Sequence, residues 1–219
     1  MLTATIFTEF FKLRDVILEF ILLNLSTIVF IMFVFKNKYF LIIESIKDLK
    51  LKNIKNNNKI NIIYRRKNKI IEEIEELKIY RKACRLKNIK FFVANNIYLT
   101  ILLKADGLYI SSYNKSYRHL HLRKLKYLVI GSAHNIREIE LKKKQGCTNI
   151  LLSRFFKVDY DNNSSFMGVI KFNNFLRLSK TLIPLGGIKY TNLSALKNID
   201  CDGIAVMSEI KKKPVIINR

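Results

Sequence analysis

Phe91 to Ser112 reads FFVANNIYLTILLKADGLYISS, and the fold turns on how this stretch is parsed. Two short apolar runs, Lys90–Ala94 and Gly107–Ser111, flank a longer periodic segment. Neither run alternates apolar with polar residues, so neither suits a strand with one wet face. Both read as strands buried on two sides, and the segment between them reads as a helix. A strand, a helix and a second strand in succession imply a parallel crossover.

The same beat extends in both directions. Further strands are expected at Tyr39–Glu44, Asn61–Arg65, Tyr127–Gly131, Asn149–Ser153, Thr181–Gly186 and Gly203–Val206. The clearest helix is Ile70–Leu86, with apolar residues at Ile70, Ile71, Ile74, Leu77 and Tyr80; Ile136–Lys144 and Phe172–Ser179 behave alike. Eight strand–helix units favour a closed (β/α)8 barrel over an open sheet. The expected class is therefore α/β, a compact barrel over residues 37–212 with a shortened last helix, followed by a tail at 213–219.

Residues 1–36 stand apart. Phe20–Phe35 (FILLNLSTIVFIMFVF) is almost wholly apolar, and with Val16–Leu18 it approaches the ~20 residues that a bilayer span needs. Glu19 and Asn24 interrupt it. Three readings stand: a membrane or interfacial helix over 16–35, a helix packed on the barrel, or translation starting at Met32. No small-residue cleavage site follows, which argues against a signal peptide.

The formal charge of +23 raises nucleic acid as a partner. The lysines are spread over helix faces and loops without interleaved stacking aromatics, so no nucleic acid partner is expected; the charge suits anionic substrates and membrane surfaces. Three cysteines, Cys84, Cys147 and Cys201, form neither a CxxC nor a Cys/His cluster. Zinc and a disulfide framework are thus disfavoured, and a reducing cytoplasm is the default compartment.

Glycine is scarce, and five of seven, Gly107, Gly131, Gly186, Gly187 and Gly203, fall in or beside expected strands. LGGI (Leu185–Ile188) ends the seventh strand, and GIAVMS (Gly203–Ser208) forms the eighth and its exit. In barrels of this kind, phosphate sits on backbone N–H groups after strands seven and eight. Gly186, Gly187, Gly203 and Val206 are candidate amide donors, and Ser208 a candidate hydroxyl donor. Gly107 reads as a tight turn.

Six motifs in order resemble the thiamine phosphate synthases and their TenI relatives, from about Lys38 to Ile210. YRRK (Tyr64–Lys67) resembles LREK, and the opening stretch resembles a strand–helix–strand ending in ADGVHLGQ. VIGSAHNIREIE (Val129–Glu140) resembles GVSxH with its helix, and CTNILLSRFF (Cys147–Phe156) resembles ADYIxxGPVF. LIPLGGI and CDGIAVMSEI resemble VIALGGI and ADGVAVVSAI. The resemblance implies a phosphorylated thiazole as ligand, with its phosphate in the strand 7–8 cradle. For a synthase it also implies a pyrimidine diphosphate whose departing diphosphate is held by Mg²⁺.

Carried over position by position, the resemblance makes Arg65 and Lys67 a basic pair for a diphosphate. His134 matches the acid/base histidine of TenI tautomerases, and an ordinary pKa near 6.5 suits that work. Ser132 is placed either to donate to a phosphate oxygen or to cap the following helix. The usual Asn-Asp pair falls on Ala94-Asn95, or on Asn95-Asn96 after a one-residue shift, and the acidic residues after HLGQ fall on Tyr113 and Asn114. Mg²⁺ therefore lacks its expected carboxylates. GPVFPTxTK falls on Ser153–Asp161, where Arg154 and Lys157 bring new charge for a pyrophosphate and Asp159 and Asp161 read as hydrated loop carboxylates. His119 and His121 are expected at the surface. Three functions remain: a TenI-type enzyme, a divergent synthase using basic residues in place of some metal ligation, and a non-catalytic phosphate-binding barrel.

Overall fold

The computed structural model describes residues 37–54, 58–66, 72–158 and 165–207. The expectations for residues 1–36, Lys67, Asp159, Asp161, Ser208, the last helix and the tail lie outside that range. Among the described residues, no helix is long and apolar enough to cross a membrane.

Eight parallel strands run in sequence: β1 (Lys38–Ile43), β2 (Ile60–Tyr64), β3 (Lys90–Ala94), β4 (Gly107–Ile110), β5 (Leu128–Ala133), β6 (Asn149–Leu152), β7 (Leu182–Pro184) and β8 (Gly203–Val206). Each pairs with its neighbour in sequence, and β8 pairs with β1. A parallel bridge between Leu185 and Ala205 joins β7 to β8 and completes the expected barrel. The seam between β7 and β8 rests on that one bridge, whereas every other neighbouring pair forms a ladder.

Alternate residues along each strand face opposite ways, which sorts the apolar side chains into two layers. Phe40, Ile42, Ile63, Phe92, Tyr109, Ile130, Leu151, Ile183 and Ala205 fill the barrel's interior. Their neighbours, among them Leu41, Ile62, Val93, Ile110, Ile150 and Ile204, pack outward under the helices. Because both faces are covered, the strands carry unbroken apolar runs. Each fully buried large side chain contributes about 1.5–3 kcal/mol.

The covering helices are α1 (Ile74–Leu86), α2 (Ile97–Leu102), α3 (Leu120–Lys124), α4 (Ile136–Lys144) and α5 (Gly168–Leu178). Helix α1 buries Leu77, Arg81 and Cys84, and Arg81 pairs with Asp106 at 3.1 Å. Asp106 also accepts from the Phe91 amide, so one carboxylate ties α1 to the strand it covers. Two crossovers contain only 3-10 turns among the described residues: Ile46–Asp48 and Leu51–Asn53 after β1, and Tyr190–Asn198 after β7. The first opens with a Ser45/Asp48 capping box, and its residues carry no helical apolar stripe long enough for an α-helix.

Several boundaries differ from expectation. Strand β5 runs past Gly131 because Ser132 and Ala133 pair with Leu151 and Leu152. Strand β7 stops at Pro184, short of the glycines. The described part of the first long helix begins at Ile74. All three cysteines are buried and free.

Candidate active site at the barrel mouth

The C-terminal strand ends form a ring, and its two sides are built differently. On one side, β2, β3 and β4 border a cleft of about 590 Å³ lined by Glu44, Tyr64, Arg65, Arg66, Asn95 and Tyr113, among others. Arg65 is exposed and follows directly on β2, its amide donating to the Ile43 carbonyl at 2.8 Å. Beneath the cleft, Glu72 accepts from the Tyr64 hydroxyl and, at 2.7 Å each, from Ser45 Oγ and the Ile46 amide. Burial and this bond to Glu72 push the Tyr64 phenol above its ordinary range.

Asn95 is the hub of the loops after β3 and β4. Its Nδ2 donates to Ser111 Oγ at 2.7 Å and to the Tyr113 hydroxyl at 2.9 Å. Its Oδ1 accepts from the Ser111 amide at 3.0 Å and from Asn114 Nδ2 at 3.1 Å. Asn95 has φ +54°, a backbone that Asn tolerates better than most residues. The β4 loop is also gripped from below, where Lys142 Nζ donates to the Asn114 carbonyl at 2.7 Å and Gln145 Nε2 to the Ser116 carbonyl at 2.8 Å.

His119 corrects the surface expectation: it is buried, with Nε2 3.0 Å from the Gln145 carbonyl, whereas His121 is exposed as expected. None of this network was inferred from sequence. The Asn95-Asn96 doublet between a strand and a helix was its one visible signal.

On the other side, the loop after β6 folds onto the end of β7. The Phe155 amide donates to the Leu185 carbonyl at 2.9 Å and the Phe156 amide to the Gly186 carbonyl at 3.0 Å. Gly186 (φ +96°) and Gly187 (φ +66°) are both left-handed. A Cβ on Gly187 would lie 2.4 Å from the Lys157 carbonyl oxygen and 2.5 Å from that of Phe156. Gly187 is thus required by its own neighbouring loop, a reason sequence reasoning did not supply.

The Gly187 and Ile188 amides, in two buried residues, find no acceptor among the described residues. The Gly187 carbonyl accepts from Asn192 Nδ2 at 2.8 Å, which fixes the turn. Arg154 Cα would be 3.6 Å from a Gly186 Cβ, so Arg154 and Lys157 accompany the glycines rather than the Arg65 cleft.

Gly203 does not join them. It begins β8 at the far end of the strand, and a Cβ there would meet the Lys38 carbonyl oxygen at 2.4 Å. Its smallness serves strand packing. Val206 does end β8 at the mouth, but its side chain belongs to the outer layer.

Between the two sides stands β5. His134 follows it directly, half exposed, with Nδ1 3.1 Å from Glu138 Oε2; its amide donates to the same oxygen at 2.8 Å. A carboxylate can only accept, so Nδ1 carries the proton and Nε2 is the acceptor when the ring is neutral. Ser132 is buried near the Tyr109 phenol, whose pKa burial in the barrel interior pushes up. Ser132 does not cap the helix. Asn135 does, its side chain accepting from the Glu138 amide at 3.0 Å.

The donor set at the position implied for Mg²⁺ does not suit that ion. Both lone-pair sites of Asn95 Oδ1 are already taken, and Tyr113 and Asn114 bring no carboxylate. Among the described residues Glu44 is the one carboxylate in the cleft lining, beside two guanidinium groups.

Comparison with known proteins adds the following. The sequence model described as "Thiamine monophosphate synthase" matches residues 44–210. A thiamine-phosphate synthase of Geobacillus thermodenitrificans is 24% identical over 138 residues, covering 61% of this chain and 62% of its own. One from Persephonella marina is 27% identical over 158 residues, covering 69% and 74%. The matches to the first three curated relatives span 60–62% of those relatives' length. Among solved structures, thiamine phosphate pyrophosphorylase from Pyrococcus furiosus superposes with a TM-score of 0.66 at 19% identity, covering 83% of this chain and 91% of that one. Phosphoribosyl anthranilate isomerase from Thermotoga maritima gives 0.58 at 13%, covering 81% and 91%. At such identities these two likenesses speak for the barrel alone.

Proposed function

The chain belongs to the thiamine monophosphate synthase family, and from that premise we propose that it is a cytoplasmic enzyme of thiamine biosynthesis that binds a phosphorylated thiazole and works on it in the TenI manner. The ligand's phosphate rests against the turn after β7, and His134 transfers a proton on the ring. The carrying observation is the pair of amides, Gly187 and Ile188, that lack an acceptor among the described residues although both residues are buried. Buried N–H groups are nearly always partnered, and two successive ones beside left-handed glycines suit an anion. Arg154 beside Gly186 adds positive charge.

His134 is suited to its task by Glu138, which holds Nδ1 and leaves Nε2 to take a proton from the thiazole and return it to a second position. Such a shift is balanced within the ligand and needs no ion. The unsuitable donors around Asn95 count against the alternative, a synthase that joins pyrimidine diphosphate to the thiazole with Mg²⁺. That alternative is favoured by one observation, the Arg65 and Arg66 cleft, which could accept a diphosphate.

Calorimetric titration with thiazole phosphate and with the corresponding thiazole alcohol tests the cradle. Binding should need the phosphate, and equal affinity for the two would remove it. Proton exchange on bound thiazole phosphate, followed by NMR, should vanish in His134→Ala with binding retained. Binding without exchange in the unaltered protein would instead leave a non-catalytic phosphate-binding barrel. Fractionation of cells with alkaline extraction decides whether 16–35 tethers the barrel to a membrane.

A further inference from the structure

We propose that the cleft at the ends of β2, β3 and β4 binds a diphosphate group through Arg65 and Arg66 without a divalent cation, the Asn95 hydrogen-bond link standing where the family resemblance puts the ion. This goes beyond the thiazole phosphate cradle, which lies across the mouth and shares none of these residues.

A divalent ion in such a site does two things: it neutralises the diphosphate and it ties together the loops that supply its ligands. Here both tasks fall to the chain itself. The loops after β3 and β4 are tied directly, since Asn95 bonds Ser111, Tyr113 and Asn114 through four hydrogen bonds of 2.7–3.1 Å. Those four bonds consume both donors and both acceptor sites of the Asn95 amide, so it has nothing left to offer a cation.

Neutralisation falls to consecutive guanidinium groups. Arg65 and Arg66 line the cleft, and no carboxylate among the described residues pairs with either. Among the described residues Glu44 is the single carboxylate in the lining, against two guanidinium groups. Guanidinium remains protonated at any working pH and binds phosphate oxygens in pairs, which lets it hold an anion that an ion would otherwise shield. The cleft of about 590 Å³ has room for a diphosphate or its ester.

The test is calorimetric titration of the full chain with inorganic pyrophosphate, first in EDTA and then with excess Mg²⁺. Binding in EDTA should match that with Mg²⁺ within about threefold and exceed that of inorganic phosphate by about tenfold or more. Arg65→Gln with Arg66→Gln should weaken it at least about tenfold, and Glu44→Gln should tighten it about two- to threefold by removing the opposing charge.

Absence of binding in EDTA, a tenfold gain from Mg²⁺, or weakening by Glu44→Gln would each overturn the proposal. Thiazole phosphate binding, measured on the same samples, separates the two readings. Its survival in the arginine variants shows that they fold, and loss of pyrophosphate binding alone leaves the cradle standing. Unchanged pyrophosphate affinity in the arginine variants would move the anion elsewhere and end the argument.

Discussion

On the β3–β4 side of the mouth the loops are joined by side chains, Asn95 bonding Ser111, Tyr113 and Asn114. On the β6–β7 side the main chain makes the join, Phe155 and Phe156 donating to the carbonyls of Leu185 and Gly186. The two solutions place opposite demands on sequence. A main-chain join tolerates almost any side chain except where the chains come too close, and there it demands glycine. A side-chain join can be rebuilt with new residues, so the chemistry of the site can change while the loops keep their places. This contrast fits a chain in which LGGI resembles the family's motif while the positions that the resemblance assigns to carboxylates after β3 and β4 hold Asn95, Tyr113 and Asn114.

The largest expected effect tests the main-chain side. Gly187→Ala combines a left-handed backbone with contacts of 2.4 and 2.5 Å to carbonyl oxygens, and should cost about 2–4 kcal/mol in urea unfolding. Gly186→Ala has the backbone cost but only ordinary contacts of 3.6–3.8 Å, so about 1–2 kcal/mol is expected. Equal losses at the two positions would show that the close approach of the β6 loop does not decide which glycine is indispensable.

On the side-chain half, Asn95→Ala removes four hydrogen bonds and places alanine at φ +54°, for an expected loss of about 2 kcal/mol. Asn95→Gly keeps the backbone at ease and loses only the bonds. A glycine variant as stable as the parent would mean that the link contributes nothing, and the comparison drawn above would fail.

What could be read from sequence follows the same division. The eight strands were legible because both faces of each are covered, leaving continuous apolar runs such as FLII (Phe40–Ile43) and IIY (Ile62–Tyr64). Their ends were less so: the end of β5 depends on pairing with β6, a neighbour that a one-dimensional pattern does not reveal. Gly203 sits in the motif that forms the eighth strand, but a strand's first and last residues lie at opposite ends of the barrel, so it stands away from the cradle. The burial of His119 depends on the carbonyl of Gln145, distant in sequence, and so leaves no local sign. Side-chain links between loops leave no periodic trace, and so the Asn95 hub was invisible.

Lys142 offers the smallest and most specific test, since it supports the side-chain half from beneath. It is fully buried, and its ammonium donates to two neutral acceptors, the Asn114 carbonyl at 2.7 Å and Gln145 Oε1 at 2.9 Å. Burial lowers its pKa, while the Cys147 thiol and Glu138 act weakly the other way. Burial also pushes that thiol to about 12, so it stays protonated at neutral pH.

With the folded value below the unfolded one, the unfolded chain holds the proton more tightly. Folding stability should therefore rise with pH across the window from the lowered value up to the ordinary lysine range, and fall as pH drops through it. One proton can contribute a slope of at most about 1.4 kcal/mol per pH unit. Lys142→Met keeps most of the stem's packing and removes the proton, so the stability of the parent relative to the variant should climb as pH rises toward the ordinary lysine range. A flat difference would mean that Lys142 titrates alike in both states. A falling one would mean that the two loop acceptors stabilise the ammonium more than burial opposes it. The β4 loop would then be held by charge-assisted bonds, and the side-chain half of the mouth would be the stronger of the two.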